Sequence, residues 1–82
     1  MTEQDVLDAF GRILGDILSD DGIRLTMETR RPDVAGWDSF AYINFIVAVE
    51  LEFGVKFRVA DVESFETVGE IVRRTQQSLP RR

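Results

Sequence analysis

Apolar residues recur with a helical period near the start of the chain. Val6, Leu7, Phe10, Ile13, Leu14, Ile17 and Leu18 are apolar. At the 3.6-residue period of a helix they share an arc of roughly 140°, with Asp5, Asp8, Arg12 and Asp16 opposite. This predicts a surface helix with one buried stripe. Thr2 is placed to cap it, and Glu3 and Asp5 in its first turn suit the positive end of the helix dipole. Gly11 and Gly15 each cost such a helix about 1 kcal/mol relative to alanine. Two explanations stand: close packing, or a poor residue that has persisted.

From Ser19 to Asp38 the period stops. Asp20, Asp21, Gly22, Pro32, Asp33 and Gly36 are turn formers. So long an irregular stretch inside a compact domain is usually functional or disordered. Ile23, Leu25, Met27, Val34 and Trp37 argue against disorder, because they can pin the segment to the helices by burying apolar area. An ordered crossing loop with one short helical turn is expected.

The second helix is predicted from Asp38 or Ser39 to Phe53. Asp38 is a strong N-cap, and Gly54 stands where a left-handed residue ends a helix. Val55-Lys56-Phe57 then reads as a short connector. Residues 59–65 hold one or two helical turns. Thr67-Val68-Gly69-Glu70 has capping-box spacing and opens the last helix. Val68, Ile71, Val72 and Leu79 supply its stripe, Arg73 and Arg74 suit the negative end of its dipole, and Pro80 stops it. No segment alternates long enough to be a central strand. The fold class is all-α, with three longer helices, one short helix and a long ordered loop between the first two. Residues 1–79 form the single domain and residues 80–82 a short basic tail.

Helix two departs from the amphipathic rule. Tyr42, Phe45, Ile46, Val49 and Phe53 form one apolar face, and Phe40, Ile43, Val47 and Leu51 form another nearly opposite. Only Asn44, Glu50 and Glu52 are polar along its body. A helix apolar all round is normally buried all round, yet 82 residues supply too few elements to cover both faces. One face is therefore expected to be core, and the other to stay at least partly accessible as a partner-docking strip with Glu50 at its rim and Asp38 at its head. The alternative is permanent cover by the loop or a second copy. Ser39 lies at the head of the strip, where helix amides point outward and favour a phosphate.

Composition narrows the chemistry. The chain has no cysteine and no histidine. That excludes disulfides, thiolate metal sites and the usual nucleophile–base pairs. No catalytic residue and no metal ligand set is assigned. Ser39 has no base to make it a nucleophile, so a useful serine here is one modified by another enzyme. A net charge of −5 disfavours nucleic acid and anionic lipid. No apolar run reaches the roughly 20 residues that span a bilayer, and no secretory leader is visible, so a cytoplasmic chain without membrane insertion is expected. The first 72 residues hold all fifteen acids but only six of the ten basic residues. The acidity is thus concentrated in the body.

Gly36-Trp37-Asp38-Ser39-Phe40, the apolar helix closing on Glu50-Leu51-Glu52-Phe53-Gly54-Val55-Lys56-Phe57, and Phe65-Glu66-Thr67-Val68-Gly69-Glu70-Ile71-Val72 together resemble the acyl carrier protein family. The resemblance covers nearly the whole chain. It implies a small acyl-carrier-like four-helix bundle and a 4'-phosphopantetheine arm joined to Ser39 through a phosphodiester. The arm's thiol carries acyl groups as thioesters and supplies chemistry the chain itself lacks. It also implies that Asp38, besides capping the helix, helps orient the metal-dependent transfer of the arm. Phe40, Ile43, Asn44, Val47, Glu50 and Leu51 fall where the family's second helix meets partners. Val62 and Phe65 fall beside the place of a short acyl chain, or are ordinary core.

The implied partners are a phosphopantetheinyl transferase and acyl-loading, condensing or acyl-transferring enzymes, with the carrier itself a monomer. Phe40 stands where the family usually has leucine, and Asn44 and Leu51 where fatty-acid carriers often have acids. This suggests a carrier for a specialised lipid, polyketide or related pathway. An aminoacyl or peptidyl carrier of the D-alanyl type, and an unmodified helical adaptor using the same strip, stay open as alternatives.

Overall fold

A computed structural model describes residues 1–79; Pro80 as a helix stop and the basic tail of residues 80–82 lie outside the described residues. Four α-helices follow in order: α1 Glu3–Leu18, α2 Ser39–Phe53, α3 Val59–Ser64 and α4 Val68–Ser78. No strand occurs among the described residues. A single 3₁₀ turn, Arg31–Asp33, lies in the long loop. The all-α architecture is the one that periodicity predicts.

Local chemistry explains the helix ends. Thr2 Oγ1 accepts the Asp5 N–H at 3.1 Å, and the Asp5 carboxylate accepts the Thr2 N–H at 3.1 Å. The Thr2 N–H, and then the Thr2 hydroxyl, favour the charged Asp5 carboxylate and hold its pKa below the usual value. Thr67 and Glu70 close α4 by the same reciprocal box. Gly54 ends α2 at φ 66°, a conformation that side chains rarely adopt.

Phe10, Leu14 and Val6 of α1 meet Phe45 and Val49 of α2 and Val68 and Val72 of α4 in a core where each is at most 1% exposed. Phe10 stands edge-on to Phe45 and Phe53, with ring centroids 5.2 and 5.8 Å away. Such T-shaped pairs let the positive ring edge meet the negative face. Two ties fasten α3. Tyr42 Oη donates to the Val62 carbonyl at 2.6 Å, and Arg74 Nη2 pairs with Asp61 Oδ2 at 3.0 Å.

The long loop is ordered and crosses to the start of α4. Ile23, Leu25, Met27 and Val34 are half-buried against the core, and Trp37 is buried in it. The Gly69 N–H donates to the Met27 carbonyl and the Val68 N–H to the Thr29 carbonyl, both at 2.8 Å. A Cβ on Gly69 would stand 2.5 Å from the Met27 oxygen, so only glycine lets the loop approach this closely.

The two glycines of α1 separate. A Cβ on Gly15 would lie 2.9 Å from the Asp20 carbonyl, where the chain leaves the helix. Gly11 has only an ordinary 4.0 Å neighbour, so close packing accounts for Gly15 alone.

Candidate functional site

The segment before α2 is built residue by residue. Gly36 adopts φ 85° and turns the chain. Trp37, 5% exposed, plugs into the core against Phe45, with ring centroids 5.3 Å apart. Asp38 caps α2: its Oδ1 accepts the Ala41 N–H at 2.9 Å, and its carbonyl accepts the Tyr42 N–H at 2.8 Å. Ser39 is the first helical residue and is exposed. The anchored tryptophan and the cap together set Ser39 facing solvent at the positive end of α2.

The starts of α2 and α4 differ in what remains open. At α4, loop carbonyls take the amides of Val68 and Gly69, and Thr67 Oγ1 takes that of Glu70. At α2 the Asp38 side chain takes the Ala41 amide, while the amides of Ser39 and Phe40 meet no acceptor among the described residues. Two donors beside an exposed hydroxyl are a fit for a phosphodiester on that hydroxyl. Histidine is absent from the sequence, and no group of three or more potential metal-ligating side chains occurs among the described residues.

The outer side of α2 continues from this point. Phe40 is 78% exposed, Ile43 52%, Val47 47% and Leu51 80%, and Asn44 lies exposed among them. Neither the loop nor any other described element covers the strip. Glu50, expected at the rim, also serves the fold. It is half-buried, and its Oε2 accepts the Phe57 N–H at 2.8 Å, stapling the connector to the helix. A buried amide needs a partner more than the surface needs one more charge.

A groove of about 330 Å³ runs between α2 and α3. Ile43, Ile46, Val47, Phe57, Val59 and Val62 line it, with Glu50, Lys56 and Glu63 at its edges. Val62 and Phe65, paired by the sequence, part company. Val62 borders this groove. Phe65 turns inward against Phe57, with ring centroids 5.8 Å apart, and does not line it.

Val59 escaped the sequence reading because a six-residue helix is too short for its period to fix a face. Tyr42 escaped as more than core. Burial raises its pKa above the ordinary 10.0; the nearby Arg31 guanidinium, 4.7 Å from the ring centroid, opposes that rise and Glu70 adds to it.

Residues 4–75 match a family model described as the phosphopantetheine attachment site. The chain belongs to the acyl carrier protein family. It is 31% identical over 78 residues to an acyl carrier protein of Thermotoga maritima, across 95% of this chain and 96% of that one. It is 36% identical over 72 residues to acyl carrier protein MbtL of Mycobacterium sp. (strain MCS), across 88% of this chain and 81% of the relative. The solution structure of holo acyl carrier protein from Geobacter metallireducens superposes with a TM-score of 0.81 at 32% identity, covering 89% of this chain and 84% of that one.

Acyl carrier proteins are carriers rather than enzymes, and 4'-phosphopantetheine is their prosthetic group. The family works with a phosphopantetheinyl transferase and with acyl-handling enzymes. No helix among the described residues is long and apolar enough to cross a membrane.

Proposed function

We propose that this acyl carrier protein bears its arm on Ser39 and carries acyl intermediates as thioesters in a specialised lipid, polyketide or related pathway. The supporting observation is the exposed Ser39 hydroxyl beside the two open amides of α2. The arm supplies the thiol that forms the thioester. Asp38 holds the first turn of α2 in register and keeps the hydroxyl turned outward, next to the carboxylate that helps orient the transferase reaction. Phe40, Ile43, Asn44, Val47 and Leu51 form the surface that partner enzymes cover, and Glu50 shapes its lower end through the connector. The carrier acts as a monomer in the cytoplasm.

Intact mass after incubation with coenzyme A, magnesium and a phosphopantetheinyl transferase tests the attachment. One phosphopantetheine is gained by the wild type and none by Ser39→Ala, whose helical circular dichroism is unchanged. A gain that survives the substitution refutes Ser39. The specialised pathway draws on the apolar character of the strip, where Asn44 and Leu51 bring no charge. Mass analysis of the protein purified from its native cells identifies the cargo. An acyl group supports this reading, whereas an amino acid assigns the protein to aminoacyl carriers of the D-alanyl type.

A further inference from the structure

The net charge of −5 is not spread evenly. Asp8, Asp16, Asp20 and Asp21, with Arg12 and Arg24 among them, line a groove formed by α1 and the start of the long loop. The outer strip of α2 is electrically quiet by comparison. Between Phe40 and Leu51 its exposed positions are apolar or neutral. Acids and cations are mixed at its lower end. Glu52 pairs with Arg12 at 3.0 Å. Glu50 accepts the Phe57 N–H, and Lys56 and Glu63 line the same groove. Arg58 is exposed at the foot of α3. Glu50, Glu52 and Glu63 thus share the surroundings of an apolar centre with Arg12, Lys56 and Arg58, and Asp38 stands at its head.

A protein that reaches the Ser39 hydroxyl must cover this strip. A typical interface buries about 800 Å² on each partner, a patch roughly 30 Å across. From Ser39 to Leu51 the helix rises about 18 Å, so the whole strip fits beneath such a patch. We propose that enzymes acting at Ser39 dock here through an apolar, electrically near-neutral protein surface, and that this docking is nearly independent of ionic strength despite the acidity of the chain. The inference rests on Ser39 being the modified residue. It adds the chemistry of the partner face.

The test is the KM for the carrier with a broad-specificity phosphopantetheinyl transferase, with the KM for coenzyme A measured in parallel to remove salt effects on that anionic substrate. Raising NaCl from about 0.01 M to about 0.1 M shortens the screening length from about 30 Å to about 10 Å. The carrier KM should change by less than about threefold, because few net charges lie within the footprint. Val47→Glu and Leu51→Glu should each raise KM about tenfold or more with kcat unchanged, as loss of a central apolar contact does. Leu51 is 80% exposed, so its variant folds normally even if Val47→Glu does not.

A KM that climbs tenfold with salt, or one indifferent to Leu51→Glu, overturns the proposal while leaving the carrier reading intact. A dimer in sedimentation that Leu51→Glu dissociates would place a second copy on the strip and overturn it as well. Failure of the wild type to gain mass removes the carrier reading, and the docking inference falls with it.

Discussion

On the inner side of α2, Phe45 and Val49 are 0% exposed, and Tyr42, Ile46 and Phe53 are at most 8% exposed. On the outer side of the same helix, Phe40 and Leu51 are 78% and 80% exposed. The side chains are of the same chemical kind; their neighbours differ. The inner residues meet Phe10 of α1, Trp37 of the loop and the face of α4, and their removal from water helps hold the fold together. The outer residues leave water only when something else arrives. Under the function proposed above, this apolar surface, which contributes little to folding, is what partner enzymes cover.

Substitution should separate the faces. The largest effect is expected for Phe45→Ala, which removes a ring stacked edge-on between Phe10 and Trp37. Urea denaturation should show a loss of about 3–5 kcal/mol, the usual cost of emptying a buried phenylalanine site. A loss below about 1 kcal/mol would mean that α2 does not seat this face in the core.

Gly69→Ala comes next. Its methyl group would collide with the Met27 carbonyl and push away the loop that carries Trp37 onto the inner face. Overpacking of this kind costs about 1–3 kcal/mol, and protection of the Gly69 and Val68 amides from hydrogen exchange should fall with it.

Tyr42→Phe keeps the ring but deletes the bond to the Val62 carbonyl. A loss of about 1 kcal/mol is expected, with faster exchange in α3. This site also carries a pH signature. Burial raises the folded pKa of Tyr42 above its unfolded value of 10.0. Its contribution is therefore complete below pH 10 and is lost as pH rises through the higher folded value. The stability difference between wild type and Tyr42→Phe should shrink over that alkaline range, and a constant difference would contradict the assignment.

The smallest effect belongs to the outer face. Phe40→Ala should alter stability by no more than about 0.5 kcal/mol, as exposed substitutions do. If thermal unfolding shows it as damaging as Phe45→Ala, the contrast between the faces is wrong.

Much of this was legible because it depends on neighbours in the chain. The caps at Thr2, Asp38 and Thr67 and the left-handed end at Gly54 involve residues no more than four apart. Local hydrogen-bond geometry alone places them. Ser39 could be found for the same reason: its exposure follows from standing directly after its cap. The second role of Glu50 was not legible because its partner, the Phe57 amide, becomes a neighbour only after the chain turns at Gly54. Val62 and Phe65, each beside an acyl chain or ordinary core by sequence, could be told apart only once Tyr42 and Arg74 had tied α3 down.

The sequence by itself determined where helices begin and end, that the chemistry must be borrowed, and which hydroxyl stands at a helix head. Those properties arise from spacing and residue type. Tertiary structure alone decided which face of a uniformly apolar helix became core, why Gly69 admits no side chain, and that Arg12 pairs with Glu52 beside the outer strip. Each of these depends on distances between segments far apart in sequence, and such distances exist only once burial of the shared core has drawn the segments together.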